Sequence, residues 1–187
     1  MQQRIMAAAV EEMNERGIKF TMGDLARRLG VSKRCLYEYF ASKEELIHAI
    51  VGVVLTDIQE QRKAVLADGQ LNFEEKLRRV LTVRPKVFCL REERVSMEIK
   101  RLLPAEWERI ERFMSRNWRT IEEFLRLGIQ QGYFRYIYVP IVEKMIKGTF
   151  REVDNYCFLA QNNVSMYQVN EYMVDILLYG IVSPKQG

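Results

Sequence analysis

The stretch Thr21-Met22-Gly23-Asp24-Leu25-Ala26-Arg27-Arg28-Leu29-Gly30-Val31-Ser32-Lys33-Arg34-Cys35-Leu36-Tyr37-Glu38-Tyr39-Phe40 reads as two short helices joined by a tight turn. Thr21 is a good helix N-cap, and Asp24 three residues on gives an acidic variant of the capping box. A helix over Met22 to Leu29 would bury Leu25, Ala26 and Leu29 on one side. Gly30 then supplies the residue that turns left-handed at a helix C-terminus. Ser32 caps again, and Lys33 to Phe40 place Leu36 and Phe40 inward at i, i+4. Two helices arranged this way form a helix-turn-helix: the first braces the second, whose N-terminal residues reach base edges in a major groove.

Working outward, residues 3–17 read as a helix with Ile5, Ala8, Ala9 and Met13 on one face, stopped at Gly17. Ser42 caps a long helix whose seam is Leu46, Ile47, Ile50, Val51, Val54 and Ile58, broken at Asp68-Gly69. Asn72 caps a segment from Phe73 to Leu90 with a kink or break at Pro85. Further helices are expected over about 93–103, ended by Pro104, and over 105–129, with Trp107, Ile110, Met114, Ile121, Phe124 and Leu125 at spacings of three and four. A connector from Tyr133 to Pro140 leads to two last helices, 141–161 and 167–182. The predicted fold class is all-α: an N-terminal three-helix helix-turn-helix domain over 1–50 and a C-terminal helical domain over 51–187.

Charge points to the same end of the chain. Lys19, Arg27, Arg28, Lys33, Arg34 and Lys43 face only Asp24 and Glu38 across residues 19–43, so this stretch equals the whole formal net charge of +4. A basic patch on a neutral body suggests a polyanion on one face. No apolar run approaches the roughly 20 residues needed to span a bilayer, and no secretory leader is read at the N-terminus, so a cytoplasmic protein is expected. Cys35, Cys89 and Cys157 form no CxxC pair, and no metal or cofactor is expected. His48 is the only histidine; no nucleophile–His–acid set, metal cluster or phosphate loop is present, so an enzyme carrying a helix-turn-helix is disfavoured.

On a helical wheel set by Leu36 and Phe40, Arg34 and Glu38 point outward. Lys33 and Tyr37 lie on one flank, Cys35 and Tyr39 on the other. Arg34 is the first candidate for reading guanine, and Lys33 reaches a base or a phosphate. Tyr37 and Tyr39 offer phenolic donors to phosphates. Thr21 and Lys43 begin flanking helices, where backbone N–H groups and the helix dipole favour a phosphate. For Cys35, a thiol switch and a small residue filling a tight contact are both open.

Residues 4–50 resemble the DNA-binding domain of the TetR family of bacterial repressors. The resemblance is carried by Gly17, Thr21-Met22, Asp24-Leu25-Ala26, Gly30-Val31-Ser32-Lys33, Leu36-Tyr37, Tyr39-Phe40 and Ser42-Lys43-Glu44-Glu45-Leu46. Position 35 is more often threonine or another small residue in that family. Glu38 places a negative charge near approaching phosphates, where it reads cytosine or pairs with Arg34. The resemblance implies a variable helical ligand-binding domain and a dimer interface in the last two helices. It also implies a repressor released from a palindromic operator when a small molecule binds in the 70–135 region.

Candidate lining for an effector pocket is Phe88, Met97, Phe113, Met114, Asn117, Trp118 and Phe124. Asn117 stands out because it interrupts the seam between Met114 and Ile121, where a buried amide needs a partner. The plain alternative for each aromatic or methionine is core. The last helices are apolar on more than one side (Val142, Met145, Ile146, Phe150, Val153 and Cys157; Val169, Met173, Ile176, Leu177, Tyr179 and Gly180), which suits a four-helix bundle with the same pair from a second subunit. The expected partners are double-stranded operator DNA, a second copy of the chain and a small-molecule effector. A constitutive or protein-regulated DNA binder is the alternative.

Overall fold

The computed structural model describes residues 1–88, 93–153 and 156–181. Its helices are α1 (Gln2–Arg16), α2 (Met22–Leu29), α3 (Lys33–Tyr37), α4 (Lys43–Ala67), α5 (Phe73–Leu81), α6 (Glu93–Leu102), α7 (Pro104–Gln130), α8 (Val139–Val153), α9 (Tyr156–Asn162) and α10 (Met166–Ile181), with a 3-10 turn at Gly17–Lys19. The fold is all-α, and among the described residues no helix is long and apolar enough to cross a membrane.

Packing divides the chain into two compact units, 1–58 with 85–111 and 59–84 with 112–187. Both α4 and α7 contribute residues to each unit.

The first unit is built on α1, which buries Ile5, Ala9 and Met13 against Leu25, Leu36, Leu46, Ile47 and Ile50, together with Val95 and Ile99 of α6. Polar contacts fix the same parts. Glu98 accepts a hydrogen bond from the Ile18 backbone N–H at 2.7 Å. Its carboxylate also occupies the space a Cβ would take at Gly17, whose φ of 74° already favours glycine. Arg28 of α2 donates to Glu12 at 2.6 Å and pairs with Glu11 at 3.2 Å and with Glu15. Glu12 is buried, and this cation is what lets its carboxylate stay there. The recruitment of α6 to the N-terminal core is not visible in the sequence.

Local signals in this unit act as read. Thr21 accepts from the Asp24 backbone N–H at 3.1 Å while Asp24 accepts from the Thr21 backbone N–H at 2.9 Å, completing the capping box. Gly30 is left-handed (φ 67°). The third helix is shorter than expected, ending at Tyr37. The backbone N–H of Tyr39 and of Phe40 both donate to Leu36 O at 3.0 Å, a tightened last turn. Ser42 caps α4 through Glu45 N–H at 3.0 Å, and Glu45 accepts from Ala41 N–H at 2.6 Å.

Because the Thr21 hydroxyl and backbone hold the Asp24 carboxyl below its ordinary 3.8, their contribution is present above that value and is lost as pH falls through the lowered one. Thr21→Ala is expected to destabilise the protein by about 1 kcal/mol, and the acid-side loss of stability should become shallower; urea melts at neutral and acidic pH measure both.

In the second unit, α5 packs Leu77, Val80 and Leu81 on Trp118, Ile121 and Leu125 of α7 and on Met173, Val174, Leu177 and Leu178 of α10. Asn72 and Glu75 form the capping box of α5. This helix ends at Leu81, just before the break expected at Pro85. Pro85 has no N–H to continue the ladder, and its ring would collide with the carbonyl four residues earlier, that of Leu81. Residues 89–92, including Cys89, are outside the described residues. Phe73 stacks on Phe124 (ring centroids 4.9 Å) and on Tyr133 (4.3 Å). Where one helix was expected over 141–161, α8 begins at Val139 and α9 covers Tyr156–Asn162; residues 154–155 lie outside the described residues. Ser165 caps α10 in a reciprocal pair with Gln168.

Candidate nucleic-acid interface

Leu36, Phe40 and Leu25 hold α3 against the first unit's core, so the opposite face of α3 is presented outward by packing alone. Arg34 is the most open group there, its side chain 92% exposed, with only a loose 3.8 Å approach to Glu38. A long, permanently charged fork on the second residue of a helix is the group suited to a guanine edge. Tyr37 and Tyr39 are exposed on the flanks. Cys35 is half-buried with a free thiol, and its backbone N–H donates to Ser32 Oγ at 3.2 Å.

Lys33 leans back across the turn. A Cβ placed on Gly23 would lie 2.8 Å from Lys33 Cε and 3.2 Å from its Nζ, so glycine at the second position of α2 leaves a slot for that stem. The ammonium is thereby placed beside the N-terminus of α2, where backbone N–H groups and the dipole carry the same sign. Gly23 went unnoticed in the sequence; the signal was a glycine inside a capped helix start. Arg27, 79% exposed at its side chain, adds a further cation, tethered to Asp24 at 3.4 Å.

Two residues assigned to phosphates have occupied side chains. The Thr21 hydroxyl donates to Asp24 Oδ2 at 2.6 Å. Lys43 Nζ donates to the carbonyls of Ile18 at 3.0 Å and Phe20 at 3.3 Å, and sits 5.6 Å from the Phe20 ring centroid. What these positions can offer a phosphate is the backbone N–H of a helix start. Lys43→Met should therefore lower the melting temperature while leaving the salt dependence of DNA binding unchanged, a result calorimetry and a salt titration would check.

The seven residues expected to line a pocket divide between the two units. Phe88, with φ 52°, packs on the first unit's core, and Met97 belongs to that unit too. Phe113, Asn117, Trp118 and Phe124 belong to the second. Met114 is 48% exposed, so it does not line an interior pocket; α7 turns Phe113 inward in its place. Asn117 is no orphan, since its amide donates to Phe113 O at 2.9 Å within α7. The second unit instead carries an open groove of about 360 Å³ between Arg126, Ile129, Gln130 and residues 136–140.

The last helices are two-faced. Val142, Ile146, Val153, Met173 and Leu177 are buried in the unit's own core, while Ile141, Met145, Tyr172, Ile176 and Tyr179 face outward, Ile176 71% exposed and Tyr179 87%. Positions 172, 176, 179 and 180 lie on one stripe of α10. The side chains of Phe150 and Cys157 are outside the described residues.

Residues 5–50 match the sequence profile described as "Bacterial regulatory proteins, tetR family". The chain is 27% identical over 187 residues to the HTH-type transcriptional regulator YvaF of Bacillus subtilis, covering all of this chain and 98% of the relative. Among solved structures, a transcriptional regulator from Saccharomonospora viridis in complex with choline has a TM-score of 0.77 at 20% identity, with 98% of each chain covered. FadR from Bacillus subtilis in complex with stearoyl-CoA has a TM-score of 0.64 at 20% identity, covering 95% of this chain and 97% of that one. At these identities the two structures establish the shared fold.

Proposed function

We propose that the chain is a member of the tetR family of bacterial regulatory proteins, whose sequence profile residues 5–50 match, and that it is a cytoplasmic, homodimeric repressor of a palindromic operator, released by a small-molecule effector. The observation that carries the DNA-binding part is the outward face of α3, with Arg34 almost wholly exposed and Lys33 held beside the start of α2. In this reading Arg34 reads a base, and Lys33, Tyr37, Tyr39 and the backbone at Thr21 and Lys43 position phosphates. Cys35 fills the approach to the groove.

The outward apolar face of α8 and α10 supports pairing with a second copy, which sets the two reading helices on successive half-sites. The effector part is supported by the fold neighbours whose structures contain choline and stearoyl-CoA. Since α4 and α7 each run through both units, a ligand that prefers one arrangement of the second unit can bias the first, and DNA would reciprocally weaken ligand binding. A constitutive DNA binder is the second reading, favoured by the Asn117 amide, which is satisfied within α7 and needs no ligand.

Lys33→Ala tests the phosphate assignment. It is expected to weaken binding to every duplex alike and to lower the log–log salt slope by about one. Fluorescence anisotropy on specific and random DNA over a salt series reads both, and a loss confined to one sequence would reassign Lys33 to a base.

A further inference from the structure

Among the described residues of the second unit, three polar atoms are closed to solvent with no hydrogen-bond partner: Nη1 of Arg62, Nε1 of Trp118 and Oδ1 of Asn170. Native interiors pair nearly all such atoms, so each exception asks for an explanation.

All three sit on helices that pack the second unit's core. Arg62 precedes Val65 and Leu66 of α4 by three and four residues, and both of those pack on the second unit's core. Trp118 precedes Ile121 by three on α7. Asn170 precedes Met173 and Val174 by three and four on α10. Each thus lies on the core-facing stripe of its helix, one turn before the apolar pair or residue that follows. Other contacts tie the same ends together. Arg62 Nε donates to Val80 O at 3.1 Å, Gln61 Nε2 donates to Arg84 O at 2.7 Å, and the Arg84 guanidinium lies on the ring of Tyr167, one turn from Asn170.

The chemistry of the set is directional. A guanidinium and an indole N–H can only donate, and an amide offers its oxygen or, turned over, its N–H. Burial lowers the Arg62 pKa to about 10, which leaves it a cation at neutral pH, and no carboxylate among the described residues pairs with it. Trp118 is 7% exposed, so its N–H has no recourse to solvent. A buried cation on a core that holds two further unsatisfied polar atoms calls for an acceptor carrying negative charge.

We propose that this end of the second unit's core is the head-group end of the effector site, and that the effector is an anion, a carboxylate or phosphate on an apolar body, held by Arg62 and Trp118. The inference rests on the effector-responsive reading above and names the class of molecule it requires.

The test uses the full chain with Trp107→Phe, which leaves Trp118 as the single tryptophan. Linear alkyl compounds over a range of lengths are titrated in four head classes: carboxylate, phosphate, alcohol and quaternary ammonium. Trp118 emission and thermal unfolding report binding directly, and release of a labelled duplex reports function. The expected result is that carboxylates or phosphates bind at least about tenfold more tightly than the alcohol of equal length and shift Trp118 emission. The better of these two arms identifies the head group. Arg62→Met should abolish the preference, Arg62→Lys should restore part of it, and Trp118→Phe should weaken it with the charge intact.

An alcohol or ammonium that binds as well as the anions, anions that leave Trp118 emission unchanged at every length, or an anion preference surviving in Arg62→Met would each overturn the proposal. If only the ammonium series releases DNA, effector control stands and the anionic head falls. If anions bind at Arg62 without releasing DNA, the site stands and the released-repressor reading falls.

Discussion

Ile176→Glu is expected to convert the protein to a monomer and to lower its affinity for a two-half-site operator by roughly 10²–10⁴-fold. Ile176 lies outward on α10, so a glutamate there is solvated in the isolated protomer and leaves Val174, Leu177 and Leu178 packed. Within a dimer it would bury a carboxylate against the same apolar face of the other copy, along with its symmetry mate, and a buried unpaired charge is not tolerated. The affinity loss follows without any change to α3. Joining two half-site readers makes the second engagement intramolecular, and separating them removes that effective concentration. Sedimentation velocity and operator anisotropy on the purified variant measure both. A variant that stays dimeric would place the interface elsewhere.

The second large effect is on discrimination. Arg34→Ala is expected to remove about 1–3 kcal/mol of preference at one base pair in each half-site, so about twice that across a symmetric operator. Stability should hardly move, because the side chain is 92% exposed and surface substitutions usually stay within about 0.5 kcal/mol. Binding to random DNA should fall far less than binding to the operator, since one phosphate-independent contact is lost. Competition of operator against random duplex, at fixed salt, separates the two. Equal loss on both would mean that Arg34 positions the protein and reads nothing.

The N-terminal unit was legible because its signals are local. Thr21, Gly30, Ser32 and Ser42 each act within a few residues of themselves, and Leu36 with Phe40 fixes which way α3 faces. What the sequence hid is set by contacts distant along the chain. Val95, Ile99 and Glu98 join the first core from some 80 residues beyond Ile18, and no periodicity within α6 names its destination.

Contacts distant along the chain also decide where side chains of the candidate site lie. Lys43 read as a phosphate ligand because it begins a helix, yet the carbonyls of Ile18 and Phe20 lie within its reach. Met114 and Phe113 are adjacent, and only the packing of α7 decides which turns inward. Asn117 drew notice as an amide in a seam, but a carbonyl one turn back satisfies it. Among the described residues of the second unit, the unsatisfied groups are instead Arg62, Trp118 and Asn170, residues whose burial depends on several helices at once. Polar satisfaction belongs to the tertiary structure, which is why the effector end was the harder one to read.

Everything proposed for the N-terminal unit turns on α3 reading DNA sequence as one of a symmetric pair. Selection of bound duplexes from a random library, followed by sequencing, puts that to the test without intermediaries. The expected outcome is enrichment of an inverted repeat whose half-sites are centred about 10 base pairs apart, or a multiple of that spacing, with one guanine per half-site losing its enrichment in Arg34→Ala. Recovery of sequences no different from the starting library, or of an asymmetric single site that Arg34→Ala still selects, would contradict it.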